Sequence, residues 1–363
     1  MNKIKLSSIC DIQSGGTPSR GKAEFWNGGT IPWVKIGDFT GKHIKQTAEM
    51  ITPEGLAGSS AKLFPKGTIL YTIFATLGEI AILDIDACTN QAIAGLTLHD
   101  ERIDKEYLVY FLKSLKAYVS KIGRGVAQNN INMSILREFE VPMRSLTEQK
   151  QIAQMLLKTE EIITARKQQL SDFDTLIKAR FMELFGNPIT REKDEELKAL
   201  GDYCDLKAGK FVKASDIVEN NVEGLYPCFG GNGQRGFVSD YTHDGDFPII
   251  GRQGALCGNV QYASGKFHAT EHAVVVTPRI EMDRYWLYYL LLQLNLNRYA
   301  TGAAQPGLAV SNLEKIHVSV PKLSLQKKFA DFARQSDKSK LAVQQSLEKT
   351  QELFDSLMQK YFG

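Results

Sequence analysis

The chain is written twice. Gln149–Gly186 and Gln326–Gly363 align at a constant offset of 177 residues (326 against 149, 363 against 186). Each copy opens on a Gln-Lys pair and reaches an apolar residue and Ala two positions later, runs on in a long polar–apolar helical pattern, and ends in Phe-Gly. A weaker repeat precedes each. Leu6-x-x-x-Cys10-Asp11-Ile12-x-x-Gly15 matches Leu200-x-x-x-Cys204-Asp205-Leu206-x-x-Gly209. Asp104-x-x-Tyr107-Leu108-x-Tyr110-x-Leu112 matches Asp283-x-x-Trp286-Leu287-x-Tyr289-x-Leu291, and Gly125-x-x-Gln128 matches Gly302-x-x-Gln305. Most of the drift in offset lies between about residues 16 and 100. Two copies that share a frame and differ in the middle are what two modules reading different things would need. A near two-fold axis inside one polypeptide suits a partner with its own approximate two-fold, and duplex DNA is the obvious one.

A length of 363 residues fits two domains. Hydrophobic content of 43% with 23% charged residues is that of a soluble protein with real cores. A net charge of +3 and a pI near 8.4 permit nucleic-acid binding without arguing for it. The N-terminus lacks the apolar run of a signal peptide. The most apolar stretch, Tyr285–Leu294, is about half the ~18 residues that a membrane span requires, so no membrane role is expected. Cys10, Cys88, Cys204, Cys228 and Cys257 are scattered, odd in number and without a CxxC, which argues against a disulfide framework or a metal site and fits a reducing cytoplasm.

The pattern predicts an α+β chain. Short strands bounded by Gly or Pro are expected at Ile31–Ile36, Thr68–Phe74, Glu79–Leu83, Phe247–Gly251, Asn259–Tyr262 and Ala273–Thr277. Amphipathic helices are expected over Lys105–Lys121 and Arg284–Tyr299. The predicted division is a first globular domain at 1–144, a long helix at 145–186, a second globular domain at 187–322 and a second long helix at 323–363. Ser145-x-x-Glu148 reads as a capping box, and Ser324-x-x-Lys327 keeps the cap without the reciprocal carboxylate. Gly186-Asn187-Pro188 is a helix stop.

Ile163, Arg166, Leu170, Phe173, Ile177, Arg180 and Leu184 are spaced alternately by three and four residues. Their counterparts are Lys340, Val343, Leu347, Thr350, Phe354, Leu357 and Tyr361. The apolar members form a seam; Arg166 and Arg180 are expected to pair with Glu160 and Glu183. A helix with half a seam is not stable alone, so the two helices are expected to pair, and antiparallel is the simplest closure. Such a rod, ~57 Å long at the α-helical rise, would carry one globular domain at each end, related by a pseudo-two-fold. It could hold two readers about one turn of B-DNA apart, ~34 Å.

With these features the chain resembles, over essentially its full length, the DNA-specificity subunits of type I restriction-modification systems. The matching motifs are Ser14-Gly15-Gly16-Thr17-Pro18-Ser19 and Ile31-Pro32-Trp33-Val34-Lys35-x-Gly37-Asp38 in the first half. In the second they are Phe229-Gly230-Gly231-Asn232-Gly233-x-x-Gly236, Gly251-Arg252-Gln253-Gly254 and Gly302-Ala303-Ala304-Gln305-Pro306, joined to the helix ends Leu184-Phe185-Gly186-Asn187-Pro188 and Tyr361-Phe362-Gly363. The resemblance implies two target-recognition domains, each reading one half of a bipartite site, and helices that set the spacer and dock two methyltransferase subunits. Those partners would carry S-adenosylmethionine, with no cofactor in this chain, and motor-nuclease subunits would complete the complex. The chain starts directly with the first recognition domain, so docking is expected from the helices and the C-terminus alone.

No catalytic chemistry stands out. Gly231-Asn232-Gly233-Gln234-Arg235-Gly236 fits a dinucleotide fingerprint, but a strand-and-turn pattern follows it where a helix is required. No [DN]-P-P-[FYW] methyltransferase tetrapeptide and no Walker loop occur, and His268 and His272 are not on a helix, as a zinc pair at that spacing needs. Base readout uses Arg or Lys for guanine and Asn or Gln for adenine. The candidates are Arg20, Lys22, Lys35, Arg124, Gln128, Asn129 and Asn130 in the first half. In the second half they are Asn232, Gln234, Arg235, Arg252, Gln253, Lys266, His272 and Gln305. Trp33 and Trp286 read as core. The expected function is non-catalytic sequence-specific recognition of double-stranded DNA. The rivals are a protein-binding scaffold and a self-contained methyltransferase or nuclease, the latter lacking its motifs.

Overall fold

The structure is a computed structural model that describes residues 2–123, 131–190, 197–254, 257–302 and 306–363. The chain divides into two compact units, Met1–Ala165 with Ser346–Gly363, and Arg166–Gln345.

The repeat in sequence is a repeat in strand register. In the first unit Cys10–Ser14, Ile93–Leu98, Ile69–Thr72 and Ile80–Leu83 lie side by side in that order, with His43–Ile44 at the edge. In the second, Cys204–Ala208, Ala273–Pro278, Phe247–Gly251 and Val260–Ala263 take the same order. Ala94 faces Ser14 and Tyr71, and Val274 faces Ala208 and Ile250. A second sheet is also duplicated. Its order is Glu49–Ile51, Ile31–Val34, Ala87–Thr89, Leu63–Phe64 in one unit and Gly233–Val238, Tyr226–Gly230, Lys266–Ala269, His243–Asp244 in the other. The central pair is parallel in both, Trp33 beside Cys88 and Cys228 beside His268.

These pairings explain the drifting offset. It is 195 at Trp33 and Cys228 but 180 at Cys88 and His268. The first unit spends the difference on a 3-10 turn at Ile36–Asp38, the edge strand His43–Ile44 and the short helix Pro53–Ala57. The second unit links the equivalent strands by the two-residue turn Gly231–Asn232. The strand expected over Ile31–Ile36 stops at Val34, where the Asp38 carboxylate accepts from Lys35 N (2.9 Å) and turns the chain.

Both expected amphipathic helices are interrupted. The first breaks at Leu115, whose N–H closes onto Leu112 O, leaving Lys105–Ser114 and Lys116–Gly123. The second ends at Gln293, because Asn295 turns left-handed (φ 48°) before the 3-10 turn Leu296–Tyr299. Each starts at an aspartate N-cap, Asp104 or Asp283.

The long helices are Leu146–Phe185 and Leu323–Phe362, 40 residues each. Ser145 and Glu148 form the capping box, with Ser145 N donating to the Glu148 carboxylate (3.0 Å) and Glu148 N to Ser145 Oγ (3.3 Å). The second helix corrects the expectation: Ser324 lies one residue inside it, and Lys322 takes the place of Ser145. Gly186 ends the first helix with φ 74°. Every apolar seam position is buried or half-buried: Ile163, Leu170, Phe173, Ile177 and Leu184 on the first helix, Val343, Leu347, Phe354, Leu357 and Tyr361 on the second.

Within each unit the helix segments run antiparallel. In the second unit Asp174 pairs with Lys340 while Phe181 meets Phe329, so the partners descend as the residues climb. In the first, Arg144 lies over Tyr361, and Tyr110 touches both Glu160 and Phe354. Of the two expected arginine pairs, Arg180 meets Glu183 at 2.6 Å. Glu160 instead accepts from Lys113 (2.7 Å) and Tyr110 (2.9 Å), and Arg166 Nε is buried with no hydrogen-bond partner among the described residues.

One further pair ties helix to domain. Gln149 and Gln326 are 0% and 1% exposed. Each accepts from the backbone N–H of the N-cap aspartate, Asp104 or Asp283, at 2.9 Å. Each donates to carbonyls beside it, Arg102 and Arg144 for Gln149 and Pro321 for Gln326. A buried amide so satisfied fixes where each long helix meets its recognition domain.

Candidate nucleic-acid interface

In the second unit three loops close on one another. The Gly231–Asn232 turn, the segment after Phe247–Gly251 and the segment Thr270–His272 converge. Arg252 N donates to His272 O (3.0 Å), Thr270 N to Phe229 O (2.8 Å), and Ala273 N to Thr270 O (2.9 Å). A Cβ on Gly251 would stand 1.8 Å from Gly231 O, so only glycine permits this approach. Asn232 and Gln253 are exposed on these loops, and Gln234 and Arg235 on the adjoining strand Gly233–Val238; Arg252 and His272 are half-buried. Lys266 stands apart, at the other end of the strand that leads into Thr270, with its ammonium 4.8 Å from the Tyr241 ring. Gln305 lies outside the described residues.

Beside Arg252 and His272, sequence reading did not name Thr270, His268 and Glu271 at this surface. Thr270 and His268 are 1% and 4% exposed. Among the described residues, Thr270 Oγ1, His268 Nδ1, Glu271 Oε2, His272 Nδ1 and Arg252 Nε are buried without hydrogen-bond partners. His272 Nε2 is 3.1 Å from Glu271. Burial, with His268 and Lys210 nearby, lowers the pKa of His243, which stacks on Phe267 at 5.2 Å. Glu271 gives no sequence signal of base readout, because a carboxylate is not among the side chains that read guanine or adenine.

The first unit gathers its cations differently. Arg20 and Lys35 both reach Glu49, each at 2.6 Å. The Lys35 ammonium, then Arg20, hold that carboxyl below the usual range. The Arg20 guanidinium lies 3.7 Å over Trp26 and 5.0 Å from Trp33. Lys22 sits 4.8 Å over Phe25. Trp33 is core, 3% exposed, with its indole N–H on Gly16 O (3.0 Å); Trp286 is 1% exposed. Arg124, Gln128, Asn129 and Asn130 lie outside the described residues. Gly16 N donates to Thr89 O (2.9 Å), which sets the Gly-rich turn against Thr89-Asn90-Gln91. Gln91 accepts from Thr17 (2.5 Å) and is exposed.

The G-x-G-x-x-G string spans a β-hairpin, with a strand and no helix after it. It lacks the helix N-terminus that a dinucleotide needs. Burial pushes Cys10 and Cys204 up to about 12, which keeps both as unreactive thiols at neutral pH. Among the described residues no group of three or more His, Cys, Asp or Glu could hold a metal, and no helix is long and apolar enough to cross a membrane.

Residues 1–172 and 192–353 match the family model of the type I restriction modification DNA specificity domain. The chain belongs to this family. It is a non-catalytic specificity subunit, and its role is DNA recognition. It is similar to the EcoprrI specificity subunit of Escherichia coli, 35% identical over 342 residues that cover 89% of this chain and 84% of that one. The MjaIX specificity subunit of Methanocaldococcus jannaschii is 25% identical over 98% of this chain and 91% of its own. The fold is like that of the type I S subunit from M. genitalium, with a TM-score of 0.69 at 19% identity, covering 100% of this chain and 96% of that one. It is also like a chain from a structure described as the basis of complex assembly and conformational transition of the type I system. There the TM-score is 0.58 at 18% identity, over 99% and 97% of the two chains. For a specificity subunit, the paired sheets are scaffold and the loops at their ends are where two copies differ.

Proposed function

We propose that each unit of this specificity subunit reads one half of a bipartite duplex site in the cytoplasm. The paired long helices hold the two readings at a fixed spacing and dock two methyltransferase subunits. Those subunits bind S-adenosylmethionine and carry the methyl transfer; motor-nuclease subunits complete the restriction complex. The observation that carries this reading is one strand register built twice, ending each time in loops of different chemistry. Arg20, Lys22 and Lys35 serve the first half-site together with Arg124, Gln128, Asn129 and Asn130. Asn232, Gln234, Arg235, Arg252, Gln253, His272 and Gln305 serve the second, and Lys266, away from the loops, makes a flanking phosphate contact. A net charge of only +3 fits if the partner subunits supply much of the phosphate neutralisation.

The test is single-molecule sequencing of methylated bases in a host that expresses this chain with its methyltransferase, against the methyltransferase alone. The expected result is a new motif of two short half-sites split by a fixed gap. Assembly of the complex without any new modification or DNA binding would refute the reading.

A further inference from the structure

The two units place different chemistry on the same backbone positions, and that difference assigns bases. Ile73 N donates to Ala92 O in the first unit as Arg252 N does to His272 O in the second. Ile93 N closes on Asn90 O as Ala273 N closes on Thr270 O. The strands on either side keep register, Ile93 opposite Thr72 and Ala273 opposite Gly251. Four positions therefore correspond: Ile73 with Arg252, Asn90 with Thr270, Gln91 with Glu271, and Ala92 with His272. The first unit presents two amides beside apolar side chains. The second presents a guanidinium, a carboxylate, an imidazole and a hydroxyl.

The second set holds several buried polar atoms that no described residue satisfies. Thr270 is 1% exposed and its hydroxyl has no partner among the described residues. Among the described residues Glu271 uses one oxygen on His272 and keeps the other buried and unpartnered, and Arg252 makes no ion pair. A carboxylate placed against a phosphate backbone is repelled, so Glu271 gains at a DNA surface only by accepting a base amino group. Cytosine N4 offers that donor in the major groove, and the paired guanine offers O6 and N7 to an arginine.

Resting on the bipartite reading above, we infer that Glu271 and Arg252 read a C·G pair in the half-site of the second unit. Gln91, at the position that matches Glu271, reads adenine in the half-site of the first.

The purified complex with its methyltransferase would be tested by competition against duplexes randomised in each half-site. Glu271→Gln is nearly isosteric. It is expected to lower the preference for one C·G pair about 5- to 100-fold, in line with the worth of one good base contact, and to leave the other half-site unchanged. Gln91→Glu is expected to lose preference for one A·T pair in the other half-site only. Retention of the unaltered half-site reports that each variant is folded. An unchanged profile for Glu271→Gln, or a change that falls on an A·T pair, overturns the inference. A wild-type complex with no half-site preference would instead overturn the bipartite reading itself.

Discussion

Phe181→Ala tests how the second unit holds its part of the long helices. Phe181 is 0% exposed, with ring centroids 4.9 Å from Phe185 and 5.3 Å from Phe329. Burying a phenylalanine is worth about 2–3 kcal/mol of transfer free energy. Because rigid aromatic neighbours flank the ring, the site collapses little, and the cavity term brings the expected loss to about 3–5 kcal/mol. Leu176 on the same helix is 50% exposed, so Leu176→Ala should cost under about 0.5 kcal/mol. Hydrogen exchange read by mass spectrometry localises the effect. Opening free energies should fall in peptides covering Leu323–Ser336 and Arg284–Gln293, since Phe185 touches Trp286 at 5.9 Å and Phe329 at 5.6 Å. Equal losses in the two variants, or a loss below about 1 kcal/mol for Phe181→Ala, would refute the claim that this aromatic cluster carries the packing.

Three further outcomes are expected. Asp337 accepts from both Tyr285 and Tyr289, so in a urea titration Asp337→Ala should cost about 2–4 kcal/mol by leaving two largely buried phenols unpartnered, and Asp337→Asn should cost less. Burial pushes the Glu160 carboxyl up, but Lys113 and Tyr110 outweigh it and hold it below its ordinary 4.5. The folded chain then binds fewer protons, so this stabilisation is complete above 4.5 and fades as pH falls through the folded value. Wild type should be more stable than Glu160→Gln near neutral pH and converge with it in acid; a gap that stays constant would contradict the linkage. Gly209→Ala places a Cβ 1.9 Å from Ala269 O, so it should lower the melting temperature through an overpacking cost of about 1–3 kcal/mol or more. Gly15→Ala meets Thr89 Oγ1 at 2.0 Å and should behave alike.

The frame was legible because it repeats: two aligned copies show which positions are architecture, and periodicity shows which are strand or helix. Interruptions were not legible. The break at Leu115 and the left turn at Asn295 fall inside unbroken apolar periods, and local geometry decides them. Ser324 misled for a related reason. A serine three residues before a polar side chain imitates a cap, while the true register is set by Gln326, whose role at the domain junction has no sequence signature beyond its recurrence. Phe181 lies beside the counted seam and is buried more deeply than Leu184, because Phe329 and Phe185 close over it.

The loops were legible in place but not in partnership. Arg20 and Lys35 were chosen for their charge, yet Glu49 engages both, so their combined field on DNA is nearer one positive charge than two. Glu271 was not among the expected readers, yet it occupies the backbone position where the first unit holds Gln91. One physical cause lies behind both. A side chain's availability to a base depends on what else meets it, and those neighbours come from strands far apart in sequence. The ladder bonds from Ile73 to Ala92 and from Arg252 to His272 fix the backbone in the same way in both units. Side chains there can differ from isoleucine to arginine without moving the frame. A specificity subunit so built can change what one half-site reads while the other half, and the helices that tie it to its domain, keep their packing.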